Sequence, residues 1–231
     1  MLNIGTVEVF AICWNEAVLL PFFISHYKAM GANITIYDNQ STDGSQEIIK
    51  AAGCTLIEYD SGGQIRDDIY LSIKNEVYKK SKASFVIVCD IDELLELNFD
   101  PSPYTMIRTK GYDMIGMPPS RIGSPNVMYN KFVMFNPRAL TQIGFSPGCH
   151  SCKPSGDIRI SFETATLLHY KYINPEYVFN RHKMYQSRLS DFNKSYNFGQ
   201  EYMDPQEQII NDKFDELNKH AIIIPQQKAP H

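Results

Sequence analysis

Three short apolar runs rich in β-branched residues or Phe punctuate the first ninety positions: Val7 to Ile12, Asn33 to Tyr37 and Ser84 to Cys89. Each ends at a polar cluster, and a fourth run, Thr55 to Tyr59, precedes Gly62-Gly63. Between them lie stretches of helical character. These are Ala17 to Met30 before Gly31, Ser45 to Ala52 before Gly53, and Asp67 to Lys80, where Ile69, Ile73 and Val77 recur at helical spacing. Strands alternating with helices predict βαβ units and a mostly parallel sheet covered on both faces.

Beyond Asp100 the rhythm changes. Prolines at 101, 103, 118, 119, 125, 137, 147 and 154 break the chain into short extended pieces, which suits antiparallel strands and loops. Helical periodicity returns after Pro175 and Pro205, each preceded by Asn or Asp as an N-cap, predicting helices at about 175–192 and 205–219. The expected fold class is therefore α/β: a mostly parallel Rossmann-like central sheet flanked by helices, with a small antiparallel part in the rear half. Residues 1–220 are expected to form one domain, with 221–231 a tail or linker to further domains.

Composition narrows the function. The 231 residues carry 22 basic and 26 acidic side chains, a formal charge of −4 without a basic block, which argues against a nucleic-acid partner. The longest apolar run, Ala17 to Ile24, is too short to span a bilayer and no basic segment opens the chain. A soluble, cytoplasmic protein without a signal peptide or transmembrane segment is expected. Five cysteines are an odd count, and Cys13, Cys54 and Cys89 sit in apolar surroundings, so no disulfide framework is expected. Cys149-His150-Ser151-Cys152 has no partner pair for zinc and lies in a proline-flanked loop rather than at a helix start, which disfavours a redox role.

Phe85 to Cys89 runs directly into Asp90-Ile91-Asp92-Glu93, three carboxylates in four residues. Like charges this close destabilise one another unless a cation intervenes, and oxygen ligands suit Mg²⁺ or Mn²⁺. The plainer reading is that these acids cap a helix starting at Leu94. A second cluster, Asp38-Asn39-Gln40-Ser41-Thr42-Asp43-Gly44-Ser45, follows a strand and opens a helix, so Asp38 and Asn39 either reach a base or ribose or simply form an Asx turn.

In order and spacing, Trp14-Asn15-Glu16, Asp38 to Ser45 and Asp90-Ile91-Asp92-Glu93 resemble the GT-A fold glycosyltransferases, especially the family 2-like branch, over about residues 5–100. The resemblance implies a transferase moving a sugar from a nucleoside diphosphate sugar, UDP-sugar favoured, to a hydroxyl of a glycan or glycoprotein. It implies a nucleotide site of Ile12, Trp14, Asn15, Asp38, Asn39, Arg66, Asp90 and Ile91, with Trp14 against the base and Asp38 reading it. Arg66 would face the diphosphate, an apt role for a guanidinium with paired donors, although an ion pair with Asp67 or Asp68 serves equally. Asp92 would ligate the metal, with Asp90 facing it or the ribose, and the late histidine would be His169 rather than His150.

An inverting transfer needs a carboxylate base. Among the acids between Asp92 and His169, elimination leaves Asp157 first and Glu163 second. A sugar-nucleotide nucleotidyltransferase is the competing enzyme, but the loop after the first strand, Cys13 to Glu16, lacks its glycine and lysine. A non-catalytic carbohydrate-binding domain would account for 14 Tyr and 13 Phe but not for the clustered acids.

Overall fold

The computed structural model describes residues 5–226. The front half comprises β1 (Val7–Cys13), α1 (Leu20–Ala29), β2 (Asn33–Asp38), α2 (Ser45–Ala51), β3 (Thr55–Glu58), α3 (Asp67–Glu76) and β4 (Phe85–Asp90). Next come β5 (Glu93–Glu96), β6 (Met106–Ile115), β7 (Ile122–Pro125), β8 (Met134–Phe135), β9 (Leu140–Gln142), β10 (Ser155–Gly156) and β11 (Ile160–Tyr172). The chain closes with α4 (Pro175–Gln186), α5 (Asp191–Ser195), α6 (Glu207–Lys219) and β12 (Ile222–Ile223).

Strands β3, β2, β1 and β4 lie side by side in parallel. Short antiparallel β8 joins β4 to β6, and β6 pairs in parallel with the long β11. Antiparallel β5, β7 and β12 extend this sheet, while β9 and β10 form a separate two-stranded one. The fold is thus α/β with a mostly parallel central sheet, helices and a small antiparallel part, as expected from the alternation of patterns.

The apolar run of β4 is continuous because both of its faces are covered. Phe85, Ile87 and Cys89 join Leu20, Phe23 and Tyr27 of α1 in one core cluster, whereas Val86 and Val88 pack with Tyr78, Phe135, Ile143 and Phe145 on the other side. The end of β4 is therefore fixed from two directions.

Several boundaries differ from expectation. The stretch after Asp92 is not a helix but β5, which pairs with Thr166–His169 of β11, so the acids do not cap a helix at Leu94. The helix after Pro175 begins as expected, with Asn174 Oδ1 accepting from Tyr177 N at 2.8 Å, but it stops at Gln186. A separate short α5 follows, capped by Ser190. Helix α6 begins at Glu207 after Gln206, not at Pro205. Residues 222–223 pair with β7, and Arg121 donates to the carbonyls of Ile224 and Pro225, so the start of the expected tail is fastened to the sheet. Its last residues, 227–231, lie outside the described ones.

Tyr27 ties α1 to the segment that follows the acids. Its buried hydroxyl donates to Glu93 O at 3.0 Å and accepts from Leu95 N at 3.1 Å. Tyr27→Phe strands both backbone groups, and the expected loss is about 1–3 kcal/mol, read from chemical denaturation midpoints.

Candidate functional site

A cavity of about 480 Å³ opens where β1 and β4 end, and Trp14, Asp90, Asp92, Glu93 and His169 all line it. Two of the three clustered acids have cations of their own. Lys74 of α3, itself 8% exposed, donates to Asp90 Oδ1 at 2.5 Å, and Lys131 donates to Glu93 in a pair buried on both sides. Burial alone would lower the pKa of both lysines, but the facing carboxylates more than reverse this and keep them charged. Among the described residues, no group of three His, Cys, Asp or Glu side chains is placed to hold a metal ion.

Asp92 is left to a different partner. Its Oδ2 lies 3.3 Å from His169 Nε2, while His169 Nδ1 is 2.7 Å from Asp113 Oδ1. Burial opposes ionisation of Asp92, yet His169 holds its carboxyl well below the usual range. Burial likewise opposes the imidazolium, but Asp92 and Asp113 push His169 up to about 9. The Tyr129 ring stacks on His169 at 3.9 Å between centroids, and its hydroxyl is 3.1 Å from Nε2. Gly111 makes this stack possible, because a Cβ there would overlap the Tyr129 side chain and sit 2.7 Å from its carbonyl oxygen.

Asp92 and His169 thus form an anionic and imidazole pair at a cavity, with a second carboxylate behind the ring. That is the arrangement in which a histidine nitrogen is oriented for a metal, Asp113 fixing which nitrogen faces the site. Two protein donors would leave open positions on a divalent cation.

The other wall comes from α4 and the turns after it. Arg181 pairs with Glu16 and the hydroxyl of Tyr185, and Arg188 lies over Trp14, its guanidinium carbon 3.5 Å from the ring centroid. Burial pushes Glu16 up to about 7 against the pull of Arg181. Buried polar atoms without a hydrogen-bond partner include Glu16 Oε2, His182 Nε2 and Arg188 Nη1, all from residues lining the cavity. Such atoms are costly in a closed interior and ordinary at the wall of a polar-ligand site.

The structure separates the residues expected from sequence into two groups. Ile12, Trp14, Asp90, Ile91, Asp92 and His169 meet at the cavity, and His150 lines it too, its Nδ1 held by Met128 O at 3.0 Å. Asp90 pairs with Lys74 through Oδ1. The others serve the loops. Asp38 is fully buried and accepts from Ser41 N, Ser41 Oγ and Gln46 Nε2 at 2.9, 2.5 and 2.8 Å. Asn15 accepts from Thr42 N at 2.8 Å, and Asn39 donates to Ser61 Oγ at 2.8 Å. Arg66 grips Asp68 through Nε and Nη2 at 2.9 and 2.6 Å and does not line the cavity.

The expected base, Asp157, does not line the cavity. Its side chain is 59% exposed and lies 3.2 Å from Arg159 beside the small β9–β10 sheet, away from the cavity. Glu163 is also exposed and accepts from Tyr104 OH at 2.8 Å. The five cysteines are free thiols. No helix among the described residues is long and apolar enough to cross a membrane.

No family model matches the sequence, and no curated protein does. Solved structures give distant matches. S. aureus TarS has 12% identity and a TM-score of 0.46, over 91% of this chain and 42% of that one. The mannosyltransferase PcManGT from Pyrobaculum calidifontis, in complex with GDP-Man and Mn²⁺, has 9% identity and a TM-score of 0.45 over 90% and 69%. Glucosyl-3-phosphoglycerate synthase from Mycobacterium tuberculosis, in complex with Mn²⁺, UDP and glucosyl-3-phosphoglycerate, has 12% identity and a TM-score of 0.43 over 81% of each. This chain therefore spans less than half the length of the TarS structure. At such scores the likeness carries no functional argument, which rests on the side chains.

The Lys131–Glu93 pair offers a direct check. Lys131→Met alone leaves a buried carboxylate uncompensated, with an expected loss of about 3–5 kcal/mol. Adding Glu93→Leu should restore most of it, measured as a double-mutant cycle in urea.

Proposed function

We propose that this chain is a metal-dependent glycosyltransferase domain of the GT-A type, moving a sugar from a nucleoside diphosphate sugar, with UDP as the favoured nucleotide. The acceptor is a hydroxyl on a glycan or glycoprotein. The observation that carries the reading is the Asp92–His169 pair, 3.3 Å apart at the end of a buried strand and backed by Asp113.

Asp92 and His169 are the residues that would hold Mn²⁺ or Mg²⁺, which as a Lewis acid stabilises the charge growing on the departing diphosphate. The remaining work belongs to the chain itself. Asp113 and the Tyr129 stack fix the imidazole plane, so that His169 presents one nitrogen to the ligand. Trp14 supplies an aromatic plane beside the cavity, and Ile12 and Ile91 line it near the ends of β1 and β4. Lys74 keeps Asp90 ionised, and Lys131 holds Glu93 in place. Asp90, with its side chain 41% exposed, is available for a ribose hydroxyl. Should the transfer invert the anomeric centre, its base belongs among the acids lining the cavity, not at Asp157.

Calorimetry tests this reading. UDP should bind more tightly with Mn²⁺ than with chelator, and Asp92→Ala should remove most of that difference. His169→Asn should do the same, whereas His150→Ala should preserve it. Equal affinity with metal and with chelator for the unaltered protein would contradict the assignment.

A further inference from the structure

The charges lining the cavity pair off almost completely. Lys74 meets Asp90, Lys131 meets Glu93, Arg181 meets Glu16, and Lys171 reaches Glu201 at 3.4 Å. Asp92 faces His169, and Asp67, the last of the lining acids, feels Lys74, Asp90 and Glu201 as its charged neighbours. Among the described residues Arg188 is then the lining arginine or lysine without a carboxylate.

Its position is nonetheless fixed. Nε donates to Gly63 O at 2.8 Å, the guanidinium carbon sits 3.5 Å from the Trp14 ring centroid, and Ile65 N donates to Arg188 O at 2.7 Å. Nη1 is buried and has no hydrogen-bond acceptor. A guanidinium held this firmly, uncompensated and with an unused donor, is arranged for an anion that arrives from outside. Its planar fork suits phosphate oxygens.

We infer that Arg188 receives a phosphate oxygen of the nucleoside diphosphate, the part the resemblance implied for Arg66. This rests on the donor reading above and deepens it. Arg66 is spent on Asp68, whereas Arg188 stands beside the aromatic plane of Trp14. Arg188 also joins the end of α4 to the loop before α3 through Gly63 and Ile65, so phosphate binding would bridge front and rear halves of the fold.

The test uses the full chain, with UDP and inorganic pyrophosphate titrated by calorimetry and uridine followed by ligand-observed NMR. Arg188→Gln is expected to weaken UDP and pyrophosphate by roughly 10- to 100-fold, with Mn²⁺ or with chelator, and to leave uridine unchanged. Arg188→Lys, which keeps the charge and loses the fork, should fall between. Thermal unfolding of each variant reports folding, and if the Gln variant does not fold the Lys variant decides. Unaltered UDP affinity in the variants would overturn the inference alone, and so would an equal loss of uridine, which would assign Arg188 to the base through Trp14. Failure of the unaltered protein to bind any nucleoside diphosphate would overturn the donor reading and the inference with it.

Discussion

Negative charge crowded at the end of one buried strand is the constraint around which the molecule is arranged. Asp90, Asp92 and Glu93 follow the apolar core of β4, where each ionised carboxylate needs a cation or hydrogen bonds to offset desolvation. The chain supplies those cations from distant places. Lys74 comes from α3, Lys131 from the loop before β8, and His169 from β11. Packing of three separate elements against one strand end is thereby coupled to electrostatic balance, and Asp92 is the acid whose partner is an imidazole rather than a lysine.

The same logic separates structure from function at the site. Lys131–Glu93 is sealed, with side chains 3% and 1% exposed, and acts as internal support. Asp92, by contrast, meets an imidazole whose charge depends on protonation, so an external cation can take the proton's place without leaving a buried lysine stranded. The fully buried Asp38 belongs with the supports, since its hydrogen bonds go to Ser41 and Gln46 of its own loop and helix.

Much of this was legible in the sequence where the signal was local. Apolar runs located β1 to β4 to within a residue or two, and Asp90 to Glu93 announced themselves as charges after a buried run. His169 stood out as an imidazole in an apolar strand. The neutralising partners were not legible, because a single Lys74, Lys131 or Arg181 among surface-like neighbours has no period or spacing. Asp113 did carry a signal, a lone carboxylate within an apolar run, but its meaning depended on the parallel pairing of β6 with β11 that sets it opposite His169. The choice of Asp157 as base considered only residues between Asp92 and His169, and Asp157 does not line the cavity. The cavity's far wall is built after residue 175, by α4 and the turns that follow.

The central claim is that Asp92 and His169 jointly hold the cation that serves the nucleotide. Anomalous scattering at the manganese edge, from crystals grown with Mn²⁺ and UDP, tests it most directly. The account requires one strong peak between the Asp92 carboxylate and His169 Nε2, with diphosphate oxygens completing its ligands. A peak at the Cys149–His150 loop instead, or bound UDP with no peak beside Asp92, would contradict it.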